Sequence, residues 1–136
     1  MATWNNYNVK LENQIEYNDM VIKTYHISDL LSQYPGKLSA WEHYDEVPTL
    51  ALGLASQEGI IDEDKLNAFL DMDYTETKDA LNIMIYDYYF ELTHLNGSHF
   101  NPNLTKGTIK DTTTVSTTRL VIYNGEEALL QFSLER

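Results

Sequence analysis

Residues 42–91 carry thirteen carboxylates: Glu42, Asp45, Glu46, Glu58, Asp62, Glu63, Asp64, Asp71, Asp73, Glu76, Asp79, Asp87 and Glu91. Only Lys65 and Lys78 oppose them, so this stretch sums to −11 of a total of −12. The flanks are nearly neutral, −1 over residues 1–41 and 0 over residues 92–136. Any fold must therefore turn these carboxylates outward or pair them, because a buried carboxylate without a partner is costly. Charge asymmetry of this size points to a charged partner. An acidic surface also simply keeps a chain soluble, and repulsion costs only about tenths of a kcal/mol per exposed pair.

The 136 residues are the size of a single domain, 1–136, with a core of its own. Cysteine is absent, which excludes disulfides, thiolate metal sites and a cysteine nucleophile. The apolar runs are too short for a membrane span, and the first residues lack the basic and apolar parts of a signal peptide. A soluble, cytoplasmic chain is expected. Its net charge argues against direct binding to nucleic acid or to an anionic membrane.

The pattern predicts one compact α+β domain. Val9, Leu11, Ile15 and Tyr17 fall at even spacing, Asn18-Asp19 reads as a turn, and Met20–Tyr25 reads as the second arm of an N-terminal β-hairpin. Ser28 suits the N-cap of a short helix that Pro35-Gly36 ends. An acidic helical middle follows, residues 39–95. Ser39 with Glu42, and Asp73 with Glu76, match capping-box spacing. Pro48 suits the start of a helix stopping at Gly59, and Asp62 suits the cap of another carrying Leu66, Phe69 and Leu70. Leu81, Ile85, Tyr88, Leu92 and Leu95 recur at helical spacing, which predicts a long central helix from about Thr75 to Leu95. Asn124-Gly125, between Arg119–Tyr123 and Glu126–Leu134, is a strong signal for a C-terminal β-hairpin. There Val121, Tyr123, Ala128, Leu130, Phe132 and Leu134 share one face. Leu120, Ile122 and Leu129 share the other, so both faces are expected to be covered.

Signals for chemistry are weak. His26, His43, His94 and His99 show no metal-ligand spacing. Asp71-x-Asp73-x-Thr75-x-Thr77-x-Asp79 resembles the start of a calcium loop, but Glu76 stands where glycine is needed and Asn82 where a bidentate Glu is needed. Asp87 among tyrosines could be a general acid of raised pKa, but the favoured reading is a residue at the helix edge or an acceptor for a tyrosine hydroxyl. Asn96-Gly97-Ser98 and Asn103-Leu104-Thr105 match the N-glycosylation sequon, which matters only for a secreted chain. No catalytic residue, cofactor or metal is expected, and the chain reads as a binding protein rather than an enzyme. Trp41 and Tyr44, beside the acids, are the aromatics freest to make contacts. The expected partner-binding set is Trp41, Glu42, Tyr44, Asp45, Glu46, Glu58, Asp62, Glu63, Asp64, Asp71, Asp73, Glu76 and Asp79.

Duplex DNA presents about one charge per 1.7 Å of axis, so the eleven net negative charges of this stretch match roughly 19 Å of duplex. Such a surface could occupy the basic groove of a nucleic-acid-binding protein. Asp45-Glu46-Val47-Pro48, Ala55-Ser56-Gln57-Glu58-Gly59-Ile60, and Thr77-Lys78-Asp79 leading into Ile85-Tyr86 and Leu92 resemble the Ocr-type antirestriction proteins of phages. The resemblance implies a helical, dimeric DNA mimic, acting in the host cytoplasm when phage-encoded. It would block a basic nucleic-acid-binding protein of restriction, CRISPR or nuclease type. An immunity protein or antitoxin against a cationic nuclease, and a phage virion or tail-assembly protein, are the alternatives.

Overall fold

The computed structural model describes residues 2–36, 41, 52–110 and 114–135, with the side chains of the first helix described from Tyr17 onward. Within these residues three helices and six strands form an α+β fold. They run α1 (Ala2–Gln33), β1 (Ala55–Gln57), β2 (Ile60–Ile61), α2 (Glu63–Asp71), α3 (Tyr74–Ala80), β3 (Asp87–His94), β4 (His99–Gly107), β5 (Thr114–Tyr123) and β6 (Glu126–Glu135). The strands make one sheet in the order β1-β2-β5-β6-β3-β4. Its pairings are antiparallel except the two-residue parallel contact of β2 with β5. None of the described helices is long and apolar enough to cross a membrane.

The N-terminal hairpin expected from alternation is instead α1, a single helix of about 48 Å at 1.5 Å per residue. No Gly or Pro interrupts the chain before Pro35, so nothing local stops a helix. Its buried side is Met20, Thr24, Ile27, Ser28, Leu31 and Ser32, a helical spacing that includes three hydroxyl residues. Each hydroxyl is satisfied within the helix: Thr24 Oγ1 donates to the Met20 carbonyl (2.7 Å), Ser28 Oγ to Tyr25 (2.8 Å) and Ser32 Oγ to Ser28 (2.7 Å). Ser28 is therefore mid-helix rather than a cap. Hydroxyls that bond back to the preceding turn can be buried without a partner elsewhere.

The long central helix is also absent. α3 stops at Ala80, and Asn82 adopts a positive φ of 58° that turns the chain out of the helix. Residues 87–94 then form β3, because a second period runs through the same residues. Tyr88, Phe90 and Leu92 point inward, while Asp87, Tyr89 and Glu91 alternate with them. Ile85 and Leu95, two members of the helical stripe, are 72% and 52% exposed. The helix expected from Pro48 to Gly59 is not formed over Leu52–Gly59, where β1 runs into a turn at Glu58-Gly59. Its first half, and the Ser39–Glu42 capping box, lie outside the described residues.

β5 and β6 meet at Asn124-Gly125 with Tyr123 opposite Glu126 and Arg119 opposite Leu130. Cross-strand partners share a face, so Val121, Ala128, Leu130, Phe132 and Leu134 line up with Tyr88, Phe90 and Leu92. All six of the Tyr123-side residues expected on one face are buried. The helices lie on that side: α1 through Arg119, α2 through Phe69 edge-on to Phe90 (5.0 Å), and α3 through Tyr74 stacked on Tyr88 (4.6 Å). On the other face, expected to be covered, Leu120 is 59% exposed, while Ile122 and Leu129 are half-buried.

Candidate acidic interface

α2 and α3 are short helices that acids help to start. Asp62 is the N-cap of α2 and accepts the Lys65 amide at 3.0 Å. Asp73 is the N-cap of α3 and accepts the amides of Thr75 (3.1 Å) and Glu76 (3.3 Å). Glu63, Asp64 and Glu76 occupy first turns, where the helix dipole favours negative charge. The calcium-loop pattern thus falls on the end of α2, a cap and α3, with one Asp73 oxygen already spent on amides.

What makes this surface one-signed is the direction of its lysines. Lys65 is buried within α2 and donates Nζ to the Pro35 carbonyl at 2.8 Å. Lys78, on α3, has a side chain 15% exposed; its Nζ sits 3.6 Å from Asp87 Oδ1 and over the Tyr74 ring. Lys106, on β4, reaches up to the carbonyls of Leu70 (3.3 Å) and Met72, closing the end of α2, and lies over Phe69. Burial lowers the Lys106 pKa, against the opposing pull of Asp73, Asp71 and Glu76. All three ammonium groups are used from inside, which leaves the carboxylates facing solvent. Among the described residues, none of Glu58, Asp62, Glu63, Asp64, Asp71, Asp73, Glu76 or Asp79 forms an ion pair.

The expected set separates into parts. Asp71, Asp73 and Glu76 gather around Lys106, with Asp79 one turn on from Glu76 along α3. Asp62, Glu63 and Asp64 stand at the other end of α2, about 13 Å away along a nine-residue helix. Glu58 belongs elsewhere, in a cleft of about 360 Å³ with Asp29, Gln33, Tyr34 and Arg119. Trp41 is corrected outright: it is 1% exposed, and its Nε1 donates to the Gly53 carbonyl at 2.7 Å, so it is a core residue and not a contact. Glu42, Tyr44, Asp45 and Glu46 lie outside the described residues.

Asp87 accepts a tyrosine hydroxyl, from Tyr74 at 2.8 Å, and that hydroxyl in turn accepts the Tyr88 amide at 3.2 Å. Burial first, then Asp87, pushes the Tyr74 pKa up to about 12. The triangle of Tyr74, Asp87 and Lys78 fixes α3 to the start of β3. Sequence reading missed the roles of Lys106 and Arg119, because their partners lie more than thirty residues away in the chain. The one available signal was a lone cation on each of two otherwise uncharged strands.

No protein-family model matches this chain, and neither a curated protein nor a solved structure does.

Proposed function

We propose that this chain is a non-catalytic binding protein whose α2–α3 surface occupies a basic site on another protein, as an inhibitor of a nucleic-acid-handling enzyme would. One observation carries the reading: the carboxylates of α2 and α3 face solvent without ion pairs, while Lys65, Lys78 and Lys106 are turned inward. A merely solubilising surface has no need to withdraw its lysines. Acids placed this way steer a cationic partner at long range and then compete with phosphate for it. A defence enzyme of restriction or CRISPR type, met in the cytoplasm, is the partner class this reading favours. A single cationic nuclease, as for an immunity protein, is the narrower form.

The test is affinity capture on the immobilised chain at low salt, followed by competition with duplex DNA. The reading requires a basic DNA-binding protein that elutes as salt rises and loses its DNA when the chain is added. Capture that ignores salt, or a partner that still holds DNA, rejects it.

A second reading, a subunit of a larger assembly, draws on α1. Val21 and Ile22 expose apolar surface on α1, and Tyr17 and Tyr25 are about half exposed on the same helix. Concentration-dependent sedimentation of the chain alone, abolished by Ile22→Asp, would favour it over the first.

A further inference from the structure

The turn joining β3 to β4 holds a second feature, unrelated to the acidic surface. Leu95, Asn96, Gly97, Ser98 and His99 are all exposed. Asn96 Oδ1 accepts both the Ser98 amide (2.9 Å) and the Ser98 hydroxyl (2.7 Å). The turn is closed by the Gly97 amide on the His94 carbonyl (2.9 Å) and the His94 amide on the Ser98 carbonyl (2.9 Å). Gly97 has a positive φ of 88°, and nothing lies within 4 Å of where its side chain would be.

We propose that Asn96 is an N-glycosylation acceptor, and that the folded chain presents it ready for transfer. The sequon Asn96-Gly97-Ser98 supplies the residue types. The geometry supplies the activation: two donors on Oδ1 draw electron density from the amide and make Nδ2 easier to deprotonate. In the transfer, Nδ2 attacks the anomeric carbon of a sugar activated as a diphosphate ester. The new C–N bond forms as the C–O bond to diphosphate breaks. The diphosphate leaves with the bonding pair, and the amide proton passes to a base of the transferase. Beside the turn, His94, Leu95, Ser98, Glu126 and Glu127 border a shallow surface open to solvent, which leaves room for a sugar on Asn96. Its carboxylates can accept sugar hydroxyls.

The second sequon serves as an internal control. Asn103 is exposed but sits within β4, where the next residue, Leu104, is buried and paired with Leu92. No hydrogen bond joins Thr105 to Asn103, and the extended strand keeps the two apart. The folded chain should therefore be modified at Asn96 and not at Asn103.

The donor's leaving group has two natural sources, a lipid diphosphate, met by a chain that enters a secretory compartment, and a nucleoside diphosphate, met by a chain that stays in the cytoplasm. Two reactions on the folded full chain separate them: a lipid-linked oligosaccharide with a membrane oligosaccharyltransferase, and a nucleotide-activated hexose with a soluble N-glycosyltransferase. Intact mass and peptide mapping read the result, with a short sequon peptide confirming that each enzyme is active. Modification of Asn96 in at least one reaction is expected, falling more than tenfold in Ser98→Ala and retained in Ser98→Thr. Failure of Asn96 to react in both, equal reaction at Asn103, or indifference to Ser98→Ala would each overturn the proposal.

Discussion

Arg119 and Asp29 meet with Nη2 2.9 Å from Oδ1, an ion pair that fastens the last turns of α1 to the middle of β5. Nη2 makes no hydrogen bond here, so the contact is ionic, and the directed bond of the guanidinium runs from Nε to Ser28 Oγ at 3.2 Å. The guanidinium also lies over the Tyr25 ring, 4.3 Å from its centre. One side chain thus answers three residues of α1. Asp29 is 40% exposed, so its share of the attraction is screened by solvent. Asp29→Asn should cost under about 1 kcal/mol. Arg119→Ala, which also strips the ring and the Ser28 hydroxyl of their partner, should cost about 2 kcal/mol. Urea denaturation of both variants and the double mutant measures the difference; equal losses would mean that Arg119 acts only through Asp29.

The acidic surface is tested by which carboxylates are removed. Asp62 and Asp73 are caps, so their loss confounds stability with binding. Glu63→Gln, Asp64→Asn, Asp71→Asn and Asp79→Asn together avoid both caps. This variant should bind its basic partner at least tenfold more weakly, about 1.4 kcal/mol, with little change in melting temperature, because the helix-dipole stabilisation lost at Glu63 and Asp64 offsets the repulsion relieved. Glu126→Gln with Glu127→Gln should change binding little. Equal effects from the two sets, measured by titration at two salt concentrations, would remove the argument from placement.

Tyr74 gives a pH dependence with a definite sign. Its hydroxyl titrates near 10 when unfolded and at about 12 in the folded chain, held up by burial and by Asp87. The folded state therefore keeps its proton longer than the unfolded state does. The corresponding stability is fully present below about pH 10 and drains away as pH rises through about 12. Denaturation midpoints followed from pH 9 to 12 should fall less steeply in Tyr74→Phe than in the natural chain. Parallel curves would show that the phenol makes no such contribution.

Gly53 is fixed by proximity rather than by conformation. A Cβ there would collide with the Tyr34 carbonyl oxygen and the Gly36 amide nitrogen, both backbone atoms with little room to yield. Its own carbonyl receives the Trp41 indole. Gly53→Ala should destabilise the fold by about 3 kcal/mol, and Trp41→Phe, which orphans that buried carbonyl, by about 2 kcal/mol. Both can be read from thermal or urea unfolding.

The parts of the fold legible in the sequence are those set by local chemistry. Asp62 and Asp73 cap helices because their carboxylates reach amides two or three residues on, and Asn124-Gly125 turns because Asn and Gly accept positive φ, 52° and 77° here. What was not legible depends on distant partners. Residues 81–95 satisfy the helical and the alternating period together, and pairing with β6 and β4 decides for the strand. Thr24, Ser28 and Ser32 disguise the buried side of α1 because their polarity is answered inside the helix. For the candidate surface, the excess of acid was plain from counting. That its lysines face inward was not, since Lys65 and Lys106 end on backbone carbonyls of remote segments.

The strand order carries a consequence for synthesis on the ribosome. β5 and β6, the last two strands to be translated, occupy the centre of the sheet, between the pair β1-β2 and the pair β3-β4. Until they emerge, the pair β1-β2 and the pair β3-β4 cannot join into one sheet, and α1 lacks the two strands it packs on most. A nascent chain stalled before residue 114 should therefore be more open to proteases than the finished chain, and gain most of its protection once β6 is out.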